Sequence, residues 1–129
     1  MLERKRILLV DADELVLIRL EKMLEDAGFD TTTTWDPRHA LAILTAGEFD
    51  LLLLGHHPPE VNAKELLVKV TALGRRPKCL VLQPVTMGDA GEFLRLGALE
   101  VVYSRSYDDV LRAINSQAGA TPKAMAAAA

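Results

Sequence analysis

The sequence predicts an α/β protein: a three-layer, doubly wound, five-stranded parallel sheet of order 2-1-3-4-5, built as (βα)5. Three observations carry this. Five short runs rich in leucine and β-branched residues alternate with five amphipathic stretches of helical length. Strands joined through helices must run parallel, with right-handed crossovers that put helices on both faces of the sheet. A chain of 129 residues holds one domain, and five strands favour this order over the larger dinucleotide-binding arrangement.

Each element has its own signal. "RILLV" (6–10) follows a charged leader and reads as a strand buried on both faces. "DADELVLIRLEKMLEDAG" follows as a helix, with Leu15, Ile18, Met23 and Leu24 near helical spacing and Gly28 as its stop. "FDTTTTW" (29–35) is strand-like because threonine is β-branched. "DPRHALAILTAG" opens on Asp36 before Pro37, an N-cap followed by proline in the first turn, and closes at Gly47. "FDLLLLG" (49–55) is the most apolar strand and belongs at the centre. "EVNAKELLVKVTALG" (60–74) is an amphipathic helix, and "PKCLVLQ" (77–83) a fourth strand. "MGDAGEFLRLG" (87–97) is a shorter helix weakened by glycine. "ALEVVYS" (98–104) and "YDDVLRAINSQ" (107–117) are the last strand and helix. The domain is expected over 1–118, with 119–129 a frayed, disordered tail lacking any packing pattern.

Composition narrows the function. Half the residues are hydrophobic and 26% are charged, as in a soluble globular domain. A net charge of −3 argues against a nucleic-acid surface, which would show basic excess on one face. No apolar run is long enough to cross a bilayer. "ILLV" after the basic start is too short for a signal-peptide core. The single cysteine, Cys79, excludes an internal disulfide, begins a buried strand and reads as a small hydrophobe. A cytoplasmic location is expected, with no membrane partner.

In such a sheet, chemistry gathers at the C-terminal ends of the strands. Those ends carry Asp11, Gly55, Gln83 and a residue near Ser104. Here the sequence resembles a known family. "ILLVDADE", "FDLLLLGHHPPE", "CLVLQPV" and "RLGALEVVYSRSY" resemble the four conserved blocks of the receiver domain of bacterial two-component response regulators, the CheY-like superfamily. The resemblance spans about residues 5–117, with Pro59 and Gly97-Ala98 in the family's places. It implies a phosphorelay signalling domain, not an enzyme, and no bound organic cofactor.

The chemistry departs from the family. Its acidic pair falls on Asp11 and Ala12, its phospho-accepting aspartate on Gly55 and its hydroxyl on Gln83. Its lysine falls on Ser104, or on Arg105 if the strand carries one more residue. Aspartyl phosphorylation needs a carboxylate nucleophile, and magnesium needs carboxylate oxygens. Two of the three expected carboxylates are absent. The expectation is a pseudo-receiver, a degenerate pocket of Asp11, Ala12, Gly55, His57, Gln83 and Ser104 that acts through protein contact. No metal is expected, with Asp11 the weak candidate. The rival readings are a flavodoxin-like small-molecule or metal-sensing domain using the vacated pocket, and a receiver with a non-standard phospho-acceptor.

Each notable residue also has a plainer reading. Asp11 reads first as a helix N-cap in a capping-box-like run, Asp11-Ala12-Asp13-Glu14. Asp13 and Glu14 read as a solvated first turn, or as displaced acids. His56 and His57, adjacent on an extended chain, point to opposite sides and have no third ligand; they read as loop histidines, and His39 as a surface one. Trp35 reads as a packing residue. Tyr103 lies two residues past the family's switch-aromatic position, which falls on Val101. The resemblance places an interaction face on the fourth helix, fifth strand and fifth helix. There the chain carries Arg95, Tyr103, Arg105, Tyr107 and Arg112, residue types enriched at interface hot spots. The expected partner is a signalling protein, an output domain of the same protein or a second copy.

Overall fold

The computed structural model describes residues 5–55, 62–74, 76–82, 90–102 and 107–118. The elements run β1 (Arg6–Val10), α1 (Glu14–Asp26), β2 (Asp30–Thr34), α2 (Pro37–Ala46), β3 (Leu51–Gly55), α3 (Asn62–Thr71), β4 (Lys78–Leu82), α4 (Ala90–Arg95), β5 (Glu100–Val102) and α5 (Tyr107–Ala118). The strands form one parallel sheet of order β2-β1-β3-β4-β5, as the sequence predicts. β3 is central, and its four leucines are all buried.

Alternation along each strand divides the core in two. Ile7 and Leu9 of β1, with Leu51 and Leu53 of β3, pack with Leu17, Leu20 and Leu24 of α1 and Val110 and Ile114 of α5. Leu8, Val10, Leu52 and Leu54 face the other way, against Leu44 of α2, Leu66 and Leu67 of α3 and Phe93 of α4. Burying a side chain of this size contributes about 1.5–3 kcal/mol, so both faces hold the sheet.

Local signals end the helices as expected in two places. Gly28, at φ +97°, follows the C-cap Ala27. Its N–H donates to Glu25 O, and Phe29 N–H to Leu24 O, which is the Schellman pattern. Asp36 caps α2 by accepting from Arg38 N–H at 2.9 Å, with Pro37 in the first turn.

Three readings of the sequence need correction. Leu15 and Ile18 are each 63% exposed, so the core face of α1 is Leu17, Leu20, Met23 and Leu24. The four apolar residues named from spacing mix two sides of the helix. Trp35 is not packed; it stands 63% exposed just beyond β2. The N-cap of α1 is Asp13, which accepts from Leu15 N–H at 2.9 Å, not Asp11. Asp11 is drawn inward to the strand ends and is 1% exposed.

α3 and α4 end at Thr71 and Arg95, short of the expected 74 and 97, and their expected starts at 60 and 87 lie outside the described residues. No helix among the described residues is long and apolar enough to cross a membrane. The tail at 119–129 lies outside the described residues.

Candidate functional site at the strand ends

β1 and β3 are neighbours, with Val10 opposite Leu54. The next residue of each chain, Asp11 and Gly55, therefore meets at the C-terminal edge of the sheet. Asp11 continues the line of β1, its N–H donating to Thr34 O across to β2 at 3.2 Å. Its Oδ1 accepts from Asp13 N–H at 2.8 Å, closing an Asx turn that leads the chain into α1. The rest of the carboxylate lies against Gly55. A β-carbon built on Gly55 would clash with Asp11 Oδ2 and stand 2.6 Å from Cγ. The close approach of this carboxylate requires glycine at residue 55 as the two side chains stand.

Ala12, exposed, is the middle residue of the turn from Asp11 to Asp13. Beside it opens a cleft of about 590 Å³ between α2 and α3. Its floor is the end of β1 and β3, where Val10, Asp11, Leu54 and Gly55 line it. Trp35, Asp36, Arg38 and Leu41 line the α2 side, and Glu65, Leu66 and Lys69 the α3 side. The Asp36 carboxyl is held below its ordinary range, chiefly by the Arg38 N–H it accepts and further by the Arg38 guanidinium. Thr34 anchors the same corner. Its Oγ1 accepts from Asp36 N–H at 3.2 Å and pairs with His39 Nδ1 at 3.3 Å.

The structure thus brings together Asp11, Ala12 and Gly55 from the expected pocket. His57, Gln83 and Ser104 lie outside the described residues, as do His56, Tyr103 and Arg105. Of the expected interaction face, Tyr107 opens α5, Arg95 is exposed at the end of α4, and exposed Arg112 bonds Asp109 at 2.6 Å. Sequence reasoning missed the cleft between α2 and α3. A large aromatic directly before an Asp-Pro helix start was the available signal, because a helix that begins there leaves little strand to bury the ring.

The receiver-like pattern would bring a magnesium ion, and the described residues do not fit one. Among the described residues no group of three or more histidine, cysteine or acidic side chains could hold a metal ion. Ala12 and Gly55 offer no oxygen from a side chain, and Asp11 spends Oδ1 on a backbone N–H. Cys79 is no alternative ligand, since it is buried in β4 and burial pushes its thiol up to about 11.

No protein-family model matches the sequence, and no curated protein matches it. Solved structures do. The receiver domain of a Francisella response regulator is 19% identical, covers 92% of this chain and 99% of its own, and superposes with a TM-score of 0.81. A CheY-like response regulator receiver domain from Methanospirillum hungatei is 25% identical, covering 91% and 95%, with a TM-score of 0.81. The receiver domain of a Pseudomonas aeruginosa sensor histidine kinase, with magnesium coordinated in its active-site cleft, is 19% identical, covering 92% and 100%, with a TM-score of 0.80. Sheet order, helix placement and these superpositions agree, and the chain has the fold of the response regulator receiver domains.

Proposed function

We propose that this chain is a pseudo-receiver: a phosphorelay-type signalling module that takes no phosphoryl group at the end of its third strand and signals by protein contact. The observation that carries the reading is the Asp11 carboxylate lying in the space a residue-55 side chain would need. A phospho-accepting site there needs a carboxylate on β3 and an open cradle for metal and phosphate. Glycine supplies no nucleophile, and the Asp11 carboxylate takes the place that a residue-55 side chain would need. Ala12 removes a second metal ligand. What remains available to selection is the outer surface.

The face of α4, β5 and α5 supports the contact role. It exposes Arg95 and Arg112, and Leu94 and Leu99, at the end of α4 and just before β5, are each about half exposed. Such a mixture of arginine and aliphatic surface suits a protein partner, either a signalling protein, an attached output domain or a second copy. A cytoplasmic setting, without nucleic acid or membrane, fits the mild negative charge.

The test is chemical. The protein is incubated with magnesium and acetyl phosphate, and separately with beryllofluoride, and its intact mass is measured beside that of a phosphorylatable receiver domain. The control gains the mass of a phosphoryl group and this chain does not. A stoichiometric phosphoryl adduct mapped to the strand-end cleft would sink the reading. For the contact face, Arg95→Glu is compared with wild type in affinity capture from the native organism; recovery of identical partners would remove that face from the proposal.

A further inference from the structure

We propose that the cleft between α2 and α3 binds a flat, uncharged heteroaromatic molecule that stacks on Trp35. The inference stands apart from the phosphotransfer question, since it concerns the α2 and α3 walls above the strand ends and needs no nucleophile at residue 55.

Three features lead to it. The first is size: about 590 Å³ falls within the range of small-molecule sites. The second is the wall. Trp35 lines the cleft, yet its side chain is 63% exposed, an indole held at a cavity mouth with most of its surface still in water. Covering that face with another ring recovers apolar burial and stacking together. Leu54 and Leu66 supply an apolar floor beneath it.

The third is charge, which sets the ligand class. Arg38 stands 3.5 Å from Asp36 on the α2 wall. Lys69 follows Glu65 by one helical turn on the α3 wall. Each wall therefore carries one acid beside one base. Asp11 adds a third carboxylate at the floor of the cleft, where its Oδ1 accepts from the Asp13 N–H and its remaining side lies against Gly55. Balanced walls over a floor that carries one carboxylate give no pull on a phosphate, and among the described residues no group of three or more acidic, histidine or cysteine side chains could hold a metal cation. The walls do present both hydrogen-bond donors and acceptors, which suits a ring system whose edge carries both. A neutral heteroaromatic molecule of two or three fused rings meets these demands.

Riboflavin is the probe, and its phosphorylated form, FMN, is the charged comparison with the same ring. Trp35 is the only tryptophan in the chain, so its emission reports on the cleft alone. Riboflavin is expected to quench that emission saturably at one site per chain. Trp35→Ala, read by the anisotropy of riboflavin itself, is expected to weaken binding by about fivefold or more, the usual worth of one stacked ring. FMN is expected to bind within about threefold of riboflavin, with little change from low to high salt. Leu15→Ser with Ile18→Ser, which removes exposed apolar surface on α1, leaves the affinity unchanged. Trp35 is exposed, so its replacement does not threaten folding, and circular dichroism verifies this. Linear, unsaturable quenching overturns the proposal. So does an affinity untouched by Trp35→Ala, a loss caused by the α1 pair, or FMN binding more than about tenfold tighter than riboflavin, which would mark an anion site.

Discussion

Asp11 and Gly55 share one side-chain space: a β-carbon at residue 55 would lie 2.6 Å from Asp11 Cγ and 3.2 Å from its Cβ. Alanine in a strand is ordinarily favoured over glycine by about 0.5–1 kcal/mol, because it loses less chain entropy on folding. Gly55→Ala is expected to reverse that sign and destabilise the fold by about 1–3 kcal/mol through overpacking. Removing the obstruction with Asp11→Ala should shrink the cost of Gly55→Ala or abolish it. Urea denaturation of the two single variants and the double variant closes the cycle. A coupling energy near zero would show that the two side-chain spaces do not compete.

Two aspartates two residues apart divide the work at the start of α1, and they are separable by mutation. Asp13 holds Leu15 N–H as the N-cap, while Asp11 holds Asp13 N–H from within the strand ends. Asp13→Ala is expected to cost about 1 kcal/mol, the usual worth of a lost cap. Asp13→Asn should restore most of it. Equal losses in the alanine and asparagine variants, by urea denaturation, would remove capping as the cause.

Asp36 offers a pH test of the same chemistry. Its folded pKa lies below its ordinary 3.8 because the carboxylate accepts from Arg38 N–H. The unfolded chain therefore takes up the proton first as pH falls. The stability that Asp36 gives is fully present above 3.8 and is lost as pH drops through the lowered folded value. Thermal unfolding of wild type and Asp36→Ala should show a gap in Tm at neutral pH that narrows in acid. A gap that widens in acid would contradict the assigned direction.

Much of the fold is written in short-range pattern. Four leucines before Gly55 could only be a strand buried on both faces, and Asp36-Pro37 could hardly be other than a helix start. The absence of carboxylates at Ala12 and Gly55 is equally plain in the sequence. What was not legible depends on neighbours distant in the chain. Asp11 and Asp13 both satisfy a capping pattern; the space beside Gly55, 44 residues on in the sequence, is what draws Asp11 inward. Trp35 reads as core by type, yet β2 is an edge strand and ends one residue earlier. Its place at a cleft mouth follows from where α3 returns, which no local window contains.

The phase of α1 gives a sharp contrast between neighbours in sequence. Leu17, Leu20 and Leu24 lie at i, i+3 and i+7 and are buried. Leu15 is two residues before Leu17, about 200° around the helix at 3.6 residues per turn, and points to water. Leu17→Ala is expected to cost about 2–5 kcal/mol, the range for a large buried side chain cut to a methyl. Leu15→Ser is expected to stay within about 0.5 kcal/mol of wild type. Comparable losses at the two positions would mean that α1 is rotated from the orientation described above.

Cys79 is the last test, and it reads the central sheet directly. The thiol is buried in β4, and its Sγ lies 3.5 Å from Pro77 O. Burial disfavours the thiolate and raises the pKa from 9.0 to about 11, a rise that nearby Arg76 only partly offsets. The folded state thus keeps its proton where the unfolded chain has begun to release one. The stability from this group is complete below pH 9 and drains away as pH rises through about 11. Two pKa units correspond to roughly 2–3 kcal/mol, shown as the difference between wild type and Cys79→Ala in urea denaturation across that window. Iodoacetamide at pH 8 should label the unfolded chain readily and the folded chain slowly, at a rate set by opening of the sheet. Rapid labelling without unfolding, or a stability difference that is flat with pH, would place the thiol at the surface and overturn the place of Cys79 in the core cluster it shares with Leu66, Leu67 and Phe93.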